Sequence, residues 1–299
     1  MEPASALEEA PPGLSAGRRL LLKREDRHEL GAFKWRGALP SLEAYREQGA
    51  SAVVTASTGN HGAATAWAAQ RTSLRSIVFV PEEVSQAKVA LMQSLGAELR
   101  GVGADVDEAK DAGRTFAAEG GLPFFEDGSD EAQFGGYESI GREIVEQLGE
   151  RPALTLVPVG NGALLVGVAR GLAGGRAIGV VSKDAPVMAL SVAAGHPVPC
   201  DLMRTFADGL AVRVAVPLAV QELVRLGTPF VQVSERAIAR GVGAFASAGL
   251  RVEGSAAAGL AALDQIDAVD GPVVLIVTGS NIDDELHRRA VERSETFRD

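Results

Sequence analysis

An α/β architecture, a mostly parallel sheet covered by crossover helices, is predicted by three features of these 299 residues. Short β-branched or apolar runs alternate with longer stretches of helical period. Glycine-rich turns stand where one kind of segment gives way to the other. Hydrophobic side chains make up 46% of the chain, enough to bury one large core or two modest ones.

Residues 20–23, 52–56, 76–80, 154–159, 178–182, 230–233 and 273–278 read as strands. Most are continuously apolar rather than alternating, as expected of strands covered on both faces. Residues 85–95, 106–118, 137–148, 163–172, 215–226, 236–248 and 255–266 carry apolar residues at three- and four-residue spacing and read as crossover helices. Ser85 and Ser234 open two helical stretches; each is a side-chain cap or a plain loop hydroxyl. No internal repeat and no long linker is visible, so a second domain must be built into the first.

Composition excludes several classes. Cys200 is the only cysteine, which rules out an internal disulfide framework, and no apolar run approaches the ~20 residues needed to cross a bilayer. A reducing, cytoplasmic setting is expected. Residues 1–17 are rich in Ala, Pro and Glu, lack a basic start and an apolar stretch, and read as a loose arm rather than a signal peptide. The formal charge is −10 and the basic residues are scattered, which argues against nucleic acid or an anionic membrane as partner. His28, His196 and His287 have no metal-ligand spacing to one another or to Cys200, so no metal is expected.

Three turns follow strands and open helices, the geometry that offers unpaired backbone N–H groups to an anion. They are Ser57-Thr58-Gly59-Asn60-His61-Gly62, Val159-Gly160-Asn161-Gly162-Ala163 and Thr278-Gly279-Ser280-Asn281. Glycines at strand ends more often serve tight turns than ligands, so one turn alone decides nothing. Neither of the first two matches the dinucleotide fingerprint or the phosphate loop of nucleotide triphosphatases. Lys34 lies between Phe33 and Trp35. A lysine in such company either snorkels its ammonium to water, the commoner outcome, or is desolvated, which favours the neutral amine and Schiff-base chemistry.

Leu22-Lys23-Arg24-Glu25-Asp26, Phe33-Lys34-Trp35-Arg36-Gly37-Ala38, the 57–62 turn, the Gly160-Asn161-Gly162 loop, Ala207-Asp208-Gly209-Leu210-Ala211-Val212 and Thr278-Gly279-Ser280-Asn281 occur in one order. That order resembles the fold-type II pyridoxal-phosphate enzymes and, within them, the serine/threonine dehydratase and serine racemase branch. The resemblance covers nearly everything between residues 20 and 283. It implies a tryptophan synthase β-like fold of two open, twisted, mostly parallel sheets with helices on both faces. It implies a large cofactor-binding domain of residues 1–51 and 131–299, a small inserted domain of residues 52–130 that closes over the substrate, and a homodimer.

The same resemblance implies roles for individual residues. Lys34 matches the lysine that holds pyridoxal 5′-phosphate as a Schiff base and later removes the substrate's Cα proton, with Phe33 beside it. Gly160, Asn161, Gly162, Ala163 and Leu164 match the loop that holds the cofactor phosphate. Ser57, Thr58, Gly59, Asn60 and His61 match the loop that grips the carboxylate of an amino-acid substrate, and Asn60 also matches the residue at the pyridine 3′-oxygen. Thr278 matches the hydroxyl at the pyridine nitrogen, which a hydroxyl does not keep protonated as a carboxylate would; that favours expulsion of a β-substituent over transamination. The implied reaction is β-elimination from a hydroxy amino acid of the L-threonine or L-serine type, giving a 2-oxo acid and ammonia.

The departures are specific. Ala32 stands where many relatives have serine, and Asn161 and Ala163 replace two glycines of the usual phosphate loop. Thr58 stands where racemases carry a serine and many dehydratases an alanine, which leaves racemisation open as an alternative. Threonine synthase-like β-replacement is another, and a non-catalytic α/β protein that binds a phosphorylated small molecule is a third. Glu253 resembles a position near the cofactor but is equally a helix-start acid that complements the helix dipole.

Overall fold

The computed structural model describes residues 2–15, 17–84 and 86–299. The cap expected at Ser85 lies outside them. The elements run β1 (Leu7–Glu9), β2 (Leu20–Arg24), α1 (Trp35–Glu47), β3 (Ala52–Ala56), α2 (Asn60–Thr72), β4 (Arg75–Val80), α3 (Gln86–Ser94), β5 (Glu98–Gly101), α4 (Val106–Gly120) and α5 (Glu131–Leu148). They continue with β6 (Leu154–Pro158), α6 (Ala163–Gly171), β7 (Ala177–Ser182), α7 (Val187–Ala194), α8 (Pro217–Leu226), β8 (Phe230–Val233), α9 (Glu235–Ser247), α10 (Gly254–Ala261), β9 (Val273–Val277) and α11 (Asp284–Glu292).

Two compact units divide the chain, one of Met1–Phe33 with Tyr137–Asp299, the other of Lys34–Gly136. The boundaries expected from sequence fall at 51/52 and 130/131. Helix α1 accounts for the first difference: it sits in the second unit, where the ring of its Trp35 lies 5.9 Å from that of Trp67 on α2.

In the first unit a six-stranded sheet has the order β1-β2-β9-β6-β7-β8. All its pairs are parallel except β1 with β2. The central strand β9, Val-Val-Leu-Ile-Val, is buried at every position, as a strand covered on both faces requires. Its Leu275 stands opposite Leu22 on one side and Leu156 on the other. These three join Val180 and the α9 residues Val242 and Phe245 in one core.

In the second unit β3, β4 and β5 form a parallel sheet. Alternate residues of β4 serve opposite faces, the period-two rule for a strand. Ile77 and Phe79 pack with Ala109 and Ala117 of α4, and Val78 and Val80 with Ala63 and Met92.

Local chemistry sets the ends of the helices. Asp105 caps α4 by accepting from the N–H groups of Asp107 and Glu108, and Gly121 closes it at φ +61°. Ser234 caps α9 through Ala237 N–H, as its position in the sequence suggested. Helix α1 contains Pro40, whose ring nitrogen has no proton to give to the Arg36 carbonyl one turn back. Gly136 approaches that same carbonyl so closely that a Cβ there would fall 1.9 Å from the oxygen.

All seven predicted strands are present. The loose arm is corrected. Residues 7–9 form β1 against the edge of β2, Ser5 Oγ donates to Glu25, and the buried Lys23 ammonium bonds Ser5 O at 2.8 Å and Glu143 at 2.6 Å. Composition alone read the segment as unstructured; the free edge of β2 and the ammonium of Lys23 order it. Among the described residues no helix is long and apolar enough to cross a membrane.

Candidate functional site

Within the first unit, four segments converge at the C-terminal ends of β6 and β9. The loop after β6 is drawn tight: a Cβ on Gly160 would meet the Gly209 carbonyl at 2.3 Å, and one on Gly162, at φ +96°, would fall 2.8 Å from Met188 Cε. Only glycine fits at either position. The loop opens α6, whose first N–H groups have no partner within the helix and face outward along its axis. Asn161 Oδ1 accepts from Ala163 N–H at 3.0 Å, so one of the expected anion donors is engaged by its own loop.

Gly209, which a Cβ would bring within 2.7 Å of Ser255 Oγ, links this loop to the end of β9. There Glu253 Oε1 accepts hydrogen bonds from Ser255 Oγ at 2.5 Å and Thr278 Oγ1 at 2.8 Å. Of the two readings of Glu253, the helix-start role is incomplete: it precedes α10, but its side chain makes no cap bond and turns to Thr278 instead. The Thr278 hydroxyl has one proton, which serves Glu253 here and would have to turn to an unprotonated ring nitrogen to bond it. Phe33 is buried in this unit, donates its N–H to Thr278 O at 3.1 Å, and sets its ring 5.1 Å from Tyr137.

Within the second unit, Lys34 and the 57–62 turn meet around a residue that sequence reasoning missed. Asp127, in the segment between α4 and α5, forms an ion pair with the Lys34 ammonium. Its Oδ1 accepts from Gln133 Nε2 at 2.8 Å and lies 3.6 Å from His61 Nδ1. Lys34 is thus neither snorkelled nor stripped of partners; its side chain is 17% exposed and tied to a carboxylate. Ser57, Thr58, Gly59 and Asn60 are half-buried, and Asn60 begins α2. Ser57 Oγ accepts from Gly59 N–H at 3.1 Å, shaping the turn.

His61 is buried, with Nε2 3.1 Å from Thr55 Oγ1 and 3.2 Å from Phe125 O. Thr55 already donates its only proton to Phe125 O. Both neighbours of Nε2 are therefore acceptors, and Nε2 carries the ring proton. Burial lowers the pKa of His61 below the ordinary histidine value; Asp127 pulls it back up, and the Lys34 charge adds to the lowering. Burial also pushes the Asp127 carboxyl up, but the Lys34 ammonium, His61 and the Gln133 amide together bring it well below the usual carboxylate range. Asp127 lies outside the three glycine-rich turns, and its signal in the sequence is the Asp127-Gly128 turn dipeptide after Phe124-Phe125-Glu126.

The two groups of residues are chemically distinct. The first unit provides a glycine-lined helix start for a phosphate monoester and a buried hydroxyl-carboxylate pair for a heteroaromatic nitrogen. The second provides a primary amine with a counter-ion and a helix start suited to a carboxylate. These donor sets fit a phosphorylated aldehyde cofactor and an amino acid.

Comparisons with known proteins agree with that chemistry. Residues 6–279 match the sequence family described as "Pyridoxal-phosphate dependent enzyme". An L-threonine ammonia-lyase of Geobacter sulfurreducens is 34% identical over 282 residues, spanning 92% of this chain and 70% of its own. The processed form of threonine deaminase isoform 2 from Solanum lycopersicum superposes with a TM-score of 0.90 at 29% identity, covering 97% of this chain and 88% of the other. Maize serine racemase superposes with a TM-score of 0.88 at 26% identity, covering 98% and 93%.

Proposed function

Because the chain belongs to the family of pyridoxal-phosphate dependent enzymes, we propose that it is a lyase of the threonine/serine dehydratase kind. It takes a β-hydroxy amino acid such as L-threonine or L-serine and yields a 2-oxo acid and ammonia. The observation that carries this reading is the Lys34 amine, half-buried and paired with Asp127 beside His61 rather than directed to water. Likeness to an L-threonine ammonia-lyase supports the substrate class.

When bound, the cofactor supplies an aldehyde that condenses with a primary amine and a ring that withdraws electrons from the substrate's Cα. Lys34 would hold it covalently through Nζ, with Phe33 preceding it in the chain. Gly160, Asn161, Gly162, Ala163 and Leu164 would take its phosphate at the start of α6, where the helix leaves amides unpaired. Thr278 would face the ring nitrogen and Asn60 the ring oxygen. The turn of Ser57, Thr58, Gly59, Asn60 and His61 would orient the substrate carboxylate at the start of α2. Lys34 Nζ, once free, takes the proton from Cα.

A second reading, racemisation, is favoured by the Thr58 hydroxyl, which can return a proton to Cα, and by the likeness to maize serine racemase. Incubation with L-serine, L-threonine and their D- and allo-isomers, following 2-oxo acid and chirality together, separates the two. Pyruvate is expected to outpace D-serine, and the reverse order would overturn the lyase reading. Lys34→Ala is expected to abolish both the visible absorption that follows cofactor attachment and 2-oxo acid formation; a variant that keeps either would show that another residue is the reacting amine.

A further inference from the structure

Lys34 must carry a positive charge at some stages of any reaction it serves and none at others, so the fate of its counter-ion matters. In the second unit that counter-ion has two neighbours able to be cationic. Asp127 Oδ2 faces Lys34 Nζ, and Asp127 Oδ1 faces His61 Nδ1 at 3.6 Å. The carboxylate does not swing freely between them: Gln133 Nε2 holds Oδ1 at 2.8 Å, and Gln133 is itself fully buried and held by Gly128 N–H at 2.7 Å. His61 is fixed as firmly, because Nε2 must donate to Thr55 Oγ1 and Phe125 O. Neutral His61 therefore points the lone pair of Nδ1 at a carboxylate oxygen, an arrangement that turns attractive only when Nδ1 gains a proton.

We propose that Asp127 is a positioning residue shared by Lys34 and His61, the counter-ion of whichever of the two carries the positive charge. While Lys34 is an ammonium, Asp127 belongs to it and His61 stays neutral. When the Lys34 nitrogen gives up its proton, His61 Nδ1 takes one up from solvent, and the net charge of the trio is unchanged. The carboxylate thereby stays paired throughout, and the ammonium of Lys34 has one place to return to. Besides Asp127 and Lys34, the charged group that bears on His61 is Lys110 of α4, which opposes its protonation.

The inference rests on Lys34 being the reacting amine, but its test does not use turnover. The chain has four histidines, so His61 is readily assigned by NMR in cofactor-free protein labelled at histidine. Lys34→Met, which removes the competing charge, is expected to raise the titration midpoint of His61 by about one pH unit or more. Asp127→Asn is expected to lower it, and Asp127→Glu to restore it in part. An unchanged midpoint in Lys34→Met overturns the proposal, and this variant keeps the test valid even where Asp127→Asn does not fold. In cofactor-loaded protein, Asp127→Asn is expected to lower kcat on the order of 100-fold with KM within about threefold, as loss of acid–base support does. Failure of Lys34 to attach the cofactor would overturn the lyase reading and leave the His61 titration to be judged separately.

Discussion

His61 is a buried ring kept neutral, and this has a direct consequence for acid stability. Its pKa in the folded chain lies below the value near 6.5 expected of an unfolded histidine. The unfolded chain therefore binds the proton first, and stability falls as pH drops from about 6.5 toward the folded value. His61→Asn is expected to flatten the fall in Tm between about pH 7 and 5. His287, also lowered by burial, leaves a residual slope. Parallel Tm curves for the variant and the parent chain would refute this account. Asp127 acts in a different window: its depressed value contributes stability above the ordinary carboxylate range that is lost only in stronger acid. The pairing that joins these two residues was invisible in the sequence, because Asp127 lies 93 positions from Lys34 and 66 from His61, and its Asp-Gly dipeptide signals a turn but not what the turn meets. Lys34 itself stood out through the motif around it, whereas its aromatic neighbours alone favoured a snorkelled ammonium.

Secondary structure was legible where apolar runs were long and lacking where they were not. Strands β2, β6 and β9 are buried at every position and declare themselves by composition. By contrast, β1 and β5 are short and half-exposed, and six of the nine buried positions of α2 are alanine or glycine, so no strong amphipathic stripe marks it. Helix α10 ends at Ala261 and passes into a 3-10 turn, whereas the spacing of apolar residues suggested one helix to residue 266. Helix α1 shows a dependence that spacing could not reveal. Pro40 has no N–H to give the Arg36 carbonyl within the helix, and Gly136, near the start of α5, comes up against that oxygen. Gly136→Ala is expected to cost about 1–3 kcal/mol of stability, since its methyl group has no room. A urea midpoint equal to that of the parent would show that the helices separate without penalty.

The edges of the two units depend on packing that only three dimensions display. The sequence could not say that residues 34–51 would join α2, because the Trp35–Trp67 contact spans 32 positions. Nor could composition reveal that the first residues are ordered. Deletion of residues 2–9 is expected to leave the chain folded but to remove β1 and the Ser5 contacts of Lys23 and Gln147. The expected readout is a lower Tm and a larger species by size exclusion; a monodisperse elution identical to that of the intact chain would contradict it.

That last outcome follows from what β1 does for its neighbour. Without it, β2 would present a row of unsatisfied peptide groups to solvent, and such a row is a template on which another chain can add itself, strand upon strand. The three residues Leu7–Glu9 cover this edge of β2 and leave in its place only a short edge of their own.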